Sequence, residues 1–194
     1  MNQGKKQQNK KVKTGSIRLI AGKHRGRKLP VLMAEGLRPT TDRVKETVFN
    51  WLMPYIHSAN CLDCFAGAGS LGFEALSRGA DQVHLIELNK TAAKQLTSNK
   101  QLLKADNLQV SNTNILDFLK TQATQHFDIV FIDPPFRQDL VTQTCKLLEN
   151  GWLTEQALIY VEMEAEGSQP PPSNWKLLKE KISGQVAYRL YERA

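Results

Sequence analysis

Asn60-Cys-Leu-Asp63-Cys-Phe65-Ala-Gly67-Ala-Gly69-Ser-Leu-Gly72 begins as an apolar strand, breaks into three glycines and continues as a helix carrying Leu71, Ala75 and Leu76. A strand running through Gly-x-Gly-x-x-Gly into a helix is the setting that a nucleotide-binding turn requires. The glycines allow a tight bend and let a ligand lie against main-chain amides at a helix N-terminus. Twenty residues beyond Gly67 stands Glu87, at the end of the next apolar run, Gln82 to Leu88. A carboxylate at that point can accept both hydroxyl hydrogens of a ribose. The pair predicts a cofactor containing adenosine. Asp63 decides which one: an acid beside the turn attracts the ammonium of a methionine moiety and repels a pyrophosphate, favouring S-adenosylmethionine over a dinucleotide. Phe65 and Leu88 complete the walls. Asn114 and Ile115, after the third strand, are placed to bracket the adenine, with Asp117 as the alternative reader of its amine.

The same alternation runs through the rest of the chain. Asn89 to Lys104 has helical spacing, Leu108 to Ser111 reads as a strand, and a short helix bears Ile115, Phe118 and Leu119. Phe127 to Ile132 is a fourth strand, Asp139 to Asn150 a helix stopped by Gly151, and Ala157 to Met163 a fifth strand. Strand and helix in turn call for a parallel sheet covered on both faces. Trp175–Ile182 and Gln185–Glu192, flanking Ser183-Gly184, then read as an antiparallel hairpin. A parallel sheet closed by such a hairpin is the arrangement of class I methyltransferases.

The fourth strand ends in Asp133-Pro134-Pro135-Phe136. Two prolines in succession fix their own φ and push the preceding residue towards extended geometry. The result is a stiff corner at a strand's carboxyl end, where open α/β sheets place their chemistry. It offers a carboxyl group, unpaired carbonyl oxygens and an aromatic face, a set suited to gripping an amino group on a flat ring. Asp133 and the Pro134 carbonyl can each accept one amine hydrogen, Pro135 stiffens the corner, and Phe136 can stack on the ring.

Ahead of the sheet the chain is basic. Residues 1–50 hold 13 Lys/Arg against Glu35, Asp42 and Glu46, whereas the remainder is net negative, within an overall charge of +7. That asymmetry points to a polyanionic partner engaged by the N-terminal part. Residues 1–14 are polar and basic and read as a disordered tail. Ile17, Leu19 and Ala21, the turn Gly22-Lys-His-Arg-Gly26, and Arg27 to Val31 form a β-hairpin. Its cations Arg18, Lys23, Arg25, Arg27 and Lys28 are too clustered for a neutral surface and suit phosphates. Arg38-Pro-Thr-Thr-Asp42 leads into a helix with apolar Val44, Val48, Trp51 and Leu52, capped by Thr41 or Asp42 and ending before Pro54. Cys61 and Cys64 have the C-x-x-C spacing, but no second pair follows; buried packing is expected and no metal. No apolar run approaches a membrane span and no secretory leader is seen, so a cytoplasmic protein is expected.

Several signatures resemble one family: Arg18-x-x-Ala21-Gly-x-x-Arg25-Gly, Arg38-Pro-Thr-x-Asp42-Arg-x-Lys-Glu46, Asp63-x-Phe-Ala-Gly-x-Gly69, Glu74-Ala-x-Ser-Arg-Gly79-Ala and Asp133-Pro-Pro-Phe. Together they are similar to those of the bacterial 16S ribosomal RNA guanine-N2 methyltransferases, the RsmD family, over residues 16–193. The proline corner alone also occurs in DNA adenine, DNA cytosine and protein-glutamine methyltransferases; the leader and Glu74–Ala80 narrow the resemblance. It implies S-adenosylmethionine as donor and one guanine amine of 16S rRNA as acceptor, with guanine 966 the expected nucleotide. It further implies a partly assembled 30S particle as partner, a monomeric enzyme, an RNA-binding hairpin over 15–37 and a methyltransferase domain over 38–194. Arg38, Thr40 and Asp42 are implied to lie beside the cofactor. DNA adenine-N6 methylation and a non-catalytic RNA-binding assembly factor are the alternatives.

Overall fold

Apolar segments that each turn into an amphipathic helix can cover both of their faces only by pairing side by side beneath those helices. The computed structural model, which describes residues 14–32, 41–135, 140–166 and 171–194, shows that pairing. In chain order the elements are β1 (Thr14–Arg18), β2 (Lys28–Leu32), α1 (Asp42–Leu52), β3 (Asn60–Asp63), α2 (Ser70–Ser77), β4 (Gln82–Ile86) and α3 (Lys90–Leu103). There follow β5 (Leu108–Ser111), α4 (Ile115–Leu119), β6 (Phe127–Ile132), α5 (Leu140–Leu148), β7 (Leu153–Glu164), β8 (Trp175–Ser183) and β9 (Val186–Arg193). Residues 1–13 of the tail, Arg38, Thr40 and Phe136 lie outside the described residues.

The main sheet has the order β5-β4-β3-β6-β7-β9-β8. Its first five members are parallel and β9 is antiparallel to both neighbours. This is the class I methyltransferase arrangement expected from the alternation. The pleat sends Ile129 and Phe131 of β6 and Leu158 and Tyr160 of β7 to one face, where α1, α2, α3 and the hairpin cover them. Val130, Ile132, Ile159 and Val161 go to the other face, under α4 and α5.

Several boundaries differ from expectation. β3 stops at Asp63 and not Phe65, and β4 at Ile86 and not Leu88, because the chain leaves the sheet there to build the glycine turn. Single bonds continue the pairing past those ends: Cys64 N donates to Phe131 O at 3.0 Å and Ala66 N to Ile86 O at 2.9 Å. β7 begins at Leu153, ahead of Ala157, since an irregularity between Phe127 and Ile129 lets the extra residues pair. Thr14, placed in the tail by composition, opens β1, and the hairpin's paired strands lie further from its turn than expected, leaving 19–27 as loop.

That loop is docked on α2. The fully buried Glu74 carboxylate accepts from Ile20 N at 2.9 Å, Ala21 N at 3.1 Å and Arg78 Nε at 2.8 Å. Ser77 Oγ donates to Ala21 O and accepts from His24 N, and Lys23 N donates to Ser77 O at 2.7 Å. At Gly22 (φ +79°) a Cβ would fall 1.7 Å from Ser77 O, so only glycine fits. Asn99 Nδ2 of α3 donates to Pro30 O at 2.9 Å, and the buried Lys45 of α1 reaches Arg18 O. Two of the sequence signatures, Arg18–Gly26 and Glu74–Ala80, are therefore the two halves of one joint.

Candidate active site

Three adjacent parallel strands, β3, β6 and β7, end at the same edge of the sheet, and each carries an acid there. Asp63 is level with Phe131, and Phe131 with Tyr160. Asp133 and Glu162 stand two residues further along the same face, because side chains alternate with period two. The first lines the cofactor turn; the other two form a pair beside it.

The glycine turn bends through Gly67 (φ 51°) and Gly69 (φ 79°), the latter at the N-cap of α2. Gly72 serves packing, since a Cβ there would lie 2.1 Å from Leu85 Cδ2. Asp63 is tucked inside the turn: its Oδ2 accepts from Gly72 N at 3.1 Å, and the Phe65 amide bonds it as well. Burial pushes its carboxyl up to about 7, the two amides partly offset this, and the Glu87 charge adds to it. Asp63 thus holds the turn together in addition to the ligand role expected of it. Ser70, the first residue of α2, has a buried hydroxyl with no partner among the described residues. An orphaned hydroxyl at the head of this helix fits a site completed by a ligand.

Glu87 is set more firmly than sequence spacing shows. Its Oε2 accepts from Gly67 N at 2.8 Å and its Oε1 from Asn89 N at 2.6 Å, joining the turn to the start of α3. A carboxylate has about four acceptor positions, so capacity remains for ribose hydroxyls. Asn112, which sequence reasoning missed, braces this corner by donating Nδ2 to the Glu87 and Leu88 carbonyls at 2.8 and 2.9 Å. Leu88 itself is 68% exposed, an apolar side chain left bare next to Glu87.

Of the residues expected around the adenine, Asn114 caps α4, its Oδ1 accepting from Leu116 N at 2.8 Å. Ile115 is buried in the core, and Asp117 is exposed beside Lys120 at 3.5 Å. Asp42 begins α1 and pairs with Lys45 at 3.4 Å, while Thr41 caps the helix, resolving the choice between them.

At the proline corner Pro134 is buried, Pro135 exposed and Asp133 half-buried. The Asp133 and Glu162 carboxyls are hydrogen-bonded to each other. Tyr160 Oη donates to Glu162 Oε1 at 2.8 Å, and Tyr188 of β9 stands opposite Glu162 in register. Burial first, then Glu162, then Asp63 push Asp133 well above the usual carboxylate range. Burial also raises Glu162, with the bonds from Tyr160 and Asp133 opposing it.

Cys61 and Cys64 are buried thiols, both raised by burial, and among the described residues no group of three or more His, Cys, Asp or Glu could hold a metal. The hairpin cations Arg18, Lys23, Arg25, Arg27 and Lys28 are all exposed. Arg18 and Lys28 face each other across the ladder, a like-charged pair that a bound anion would relieve.

Residues 17–192 match the family model described as Conserved hypothetical protein 95. Ribosomal RNA small subunit methyltransferase D of Haemophilus influenzae is 59% identical, over 94% of this chain and 99% of that protein. Its Escherichia coli K12 counterpart is 57% identical, over 93% and 91%. A solved structure of the putative methyltransferase yhhF from Escherichia coli superposes with a TM-score of 0.86 at 56% identity, over 92% of this chain and 98% of that one. With a family model matched over most of its length and relatives alike along nearly theirs, the chain belongs to the Conserved hypothetical protein 95 family, that of the ribosomal RNA small subunit methyltransferase D proteins.

Proposed function

We propose that the protein transfers a methyl group from S-adenosylmethionine to the exocyclic N2 amine of one guanine in 16S rRNA, with guanine 966 the expected target. The observation that carries this reading is the proline corner at the end of β6, on the same face and edge as the glycine turn that leaves β3. Gly67, Gly69 and Gly72 form the cradle, Glu87 takes the ribose, Asp63 and the Ser70 hydroxyl face the methionine end, and Leu88 covers the adenine. Phe65, Asn114, Ile115, Arg38, Thr40 and Asp42 complete the proposed cofactor set. When bound, the cofactor supplies a methyl carbon made electrophilic by a positive sulfur.

An aromatic amine is a poor nucleophile because its lone pair is delocalised into the ring. The Asp133 carboxyl oxygen and the Pro134 carbonyl each accept one amine hydrogen, which favours the pyramidal nitrogen and aims its lone pair. Phe136 stacks on the base once it has left its helix or loop stack. The hairpin cations hold the surrounding phosphates of a partly assembled 30S particle, where the protein acts as a monomer in the cytoplasm. No helix among the described residues is long and apolar enough to cross a membrane.

Tritium transfer from labelled S-adenosylmethionine to 30S particles, followed by mass analysis of the methylated nucleoside, tests this reading. N2-methylguanine is the expected product; label in duplex DNA instead would transfer the protein to adenine-N6 chemistry. An assembly factor without activity would show no cofactor binding by calorimetry. The hairpin is tested separately by reversing charge at Arg25 and Arg27. The expected result is weaker RNA binding with a salt dependence flattened by about two counterions, one per lost phosphate contact. An unchanged slope in filter-binding titrations would return both residues to ordinary solvated surface.

A further inference from the structure

Glu162 belongs to no motif, yet it is only 8% exposed and placed against the residue that grips the base. A buried carboxyl is costly unless its oxygens are satisfied. Here Tyr160 Oη serves one of them at 2.8 Å, and the Asp133 carboxyl is hydrogen-bonded to it as well. The parallel register that pairs Ile132 with Val161 sets the two acids side by side at the strand ends. We infer that Glu162 is where the proton displaced from the substrate amine comes to rest, passed on through Asp133. The inference rests on the guanine-N2 reading above.

The tyrosine decides the direction. A phenol O–H bonded to Glu162 favours its ionised form, so the single proton of the pair sits on Asp133. Neutral Asp133 keeps a carbonyl oxygen that accepts an amine hydrogen, and its own hydroxyl donates to Glu162. During transfer the N2 lone pair forms the new C–N bond as the carbon–sulfur bond breaks, the electron pair staying on sulfur. The N2 proton moves to the Asp133 carbonyl oxygen while the Asp133 hydroxyl proton moves to Glu162. One positive sulfur and one carboxylate become a neutral thioether and a neutral acid, and the methylated amine is neutral too. Glu162 later loses its proton to water. It touches Asp133 and not the base, which makes it a positioning residue.

The groups facing the pair come from each neighbouring element. Asp63 on β3 adds to the raising of Asp133, and Tyr188 on β9 is itself raised by burial and then by Glu162 and Asp133. Lys181 of β8 follows Tyr188 across the ladder, with its Nζ on the Thr47 hydroxyl of α1 at 3.3 Å. Lys45 of α1 is committed to Arg18 O and Asp42. A role for Glu162 confined to anchoring Tyr160 would be met equally by glutamine, which separates the two possibilities.

The test uses the full chain in two arms. Infrared pH titration of the cofactor-free protein reads the C=O stretch of a protonated buried carboxyl. Asp63, raised to about 7, contributes one such band; a second, from Asp133, should persist to neutral pH and titrate at lower pH in Glu162→Gln, where the Glu162 charge no longer adds to the effect of burial. Single-turnover methyl transfer to 30S particles against pH forms the second arm. In Glu162→Gln the rate should fall roughly a hundredfold with cofactor and RNA affinities unchanged, the usual scale for a lost proton acceptor. Tyr160→Phe removes the bond that favours ionised Glu162, raises its proton affinity, and should move the acid limb of the profile to higher pH. A native rate in Glu162→Gln, or a slower rate with band and acid limb both unmoved, would overturn the inference. The infrared arm needs neither RNA nor cofactor, and the nucleoside analysis of the native reaction judges the guanine-N2 reading on its own, so the two failures are distinct.

Discussion

Asp133→Ala is expected to reduce methyl transfer to 30S particles by roughly a thousandfold, the scale seen when a preorganised polar contact to the reacting group is removed. Alanine leaves the amine with one acceptor, the Pro134 carbonyl, and nothing then holds the nitrogen pyramidal. Cofactor affinity measured by calorimetry should stay within a few-fold, because the turn is fastened by Asp63 to Gly72 and by Glu87 to Gly67 and Asn89, none of which involves Asp133. Thermal stability should be unchanged or higher. The substitution removes one of two acids held against each other away from water, the kind of polar burial that functional sites carry at the expense of stability. An alanine variant that still methylates at the native rate would strip Asp133 of its role.

Glu74→Ala should produce the largest loss of stability. It withdraws the acceptor from two part-buried backbone amides and leaves the Arg78 guanidinium without its carboxylate. Breaking a buried pair from one side costs about 3–5 kcal/mol. In a chain of this size that corresponds to a fall in melting temperature of roughly 10 °C. Gly22→Ala attacks the same joint from the hairpin side, since its new methyl would collide with the Ser77 carbonyl and its φ of +79° disfavours a side chain. Both variants should expose the hairpin to limited proteolysis and weaken RNA binding while the cofactor still binds. Thermal melts and cleavage patterns indistinguishable from the native chain would show that the hairpin is held by its apolar contacts alone.

These two cases divide the molecule by how far apart in the chain the interacting groups lie. Asp133-Pro-Pro, Gly67-x-Gly-x-x-Gly72 and the cap at Thr41 are local devices, whose geometry follows from φ restrictions and from side chains reaching backbone three residues away. They were legible without a structure, as were the strand–helix alternation and the closing hairpin. Glu87 was legible because its distance from the turn is set by one helix and one strand. The capping of α4 by Asn114 is just as local but was not read from the sequence, where its position alone pointed to a ligand role.

The amino-acid order by itself determined the sheet class, the cofactor turn and the rigid corner, because each is encoded by residues that restrict their own backbone. Tertiary structure alone decided what Glu74 and Glu162 are for. Glu74 meets amides 53 and 54 residues upstream, and Glu162 meets Asp133 only because β6 and β7 pair in one particular register. In the sequence each is an acid with apolar residues on either side, Phe73 and Ala75 or Val161 and Met163, and a buried charge takes its meaning from the partner that folding brings to it.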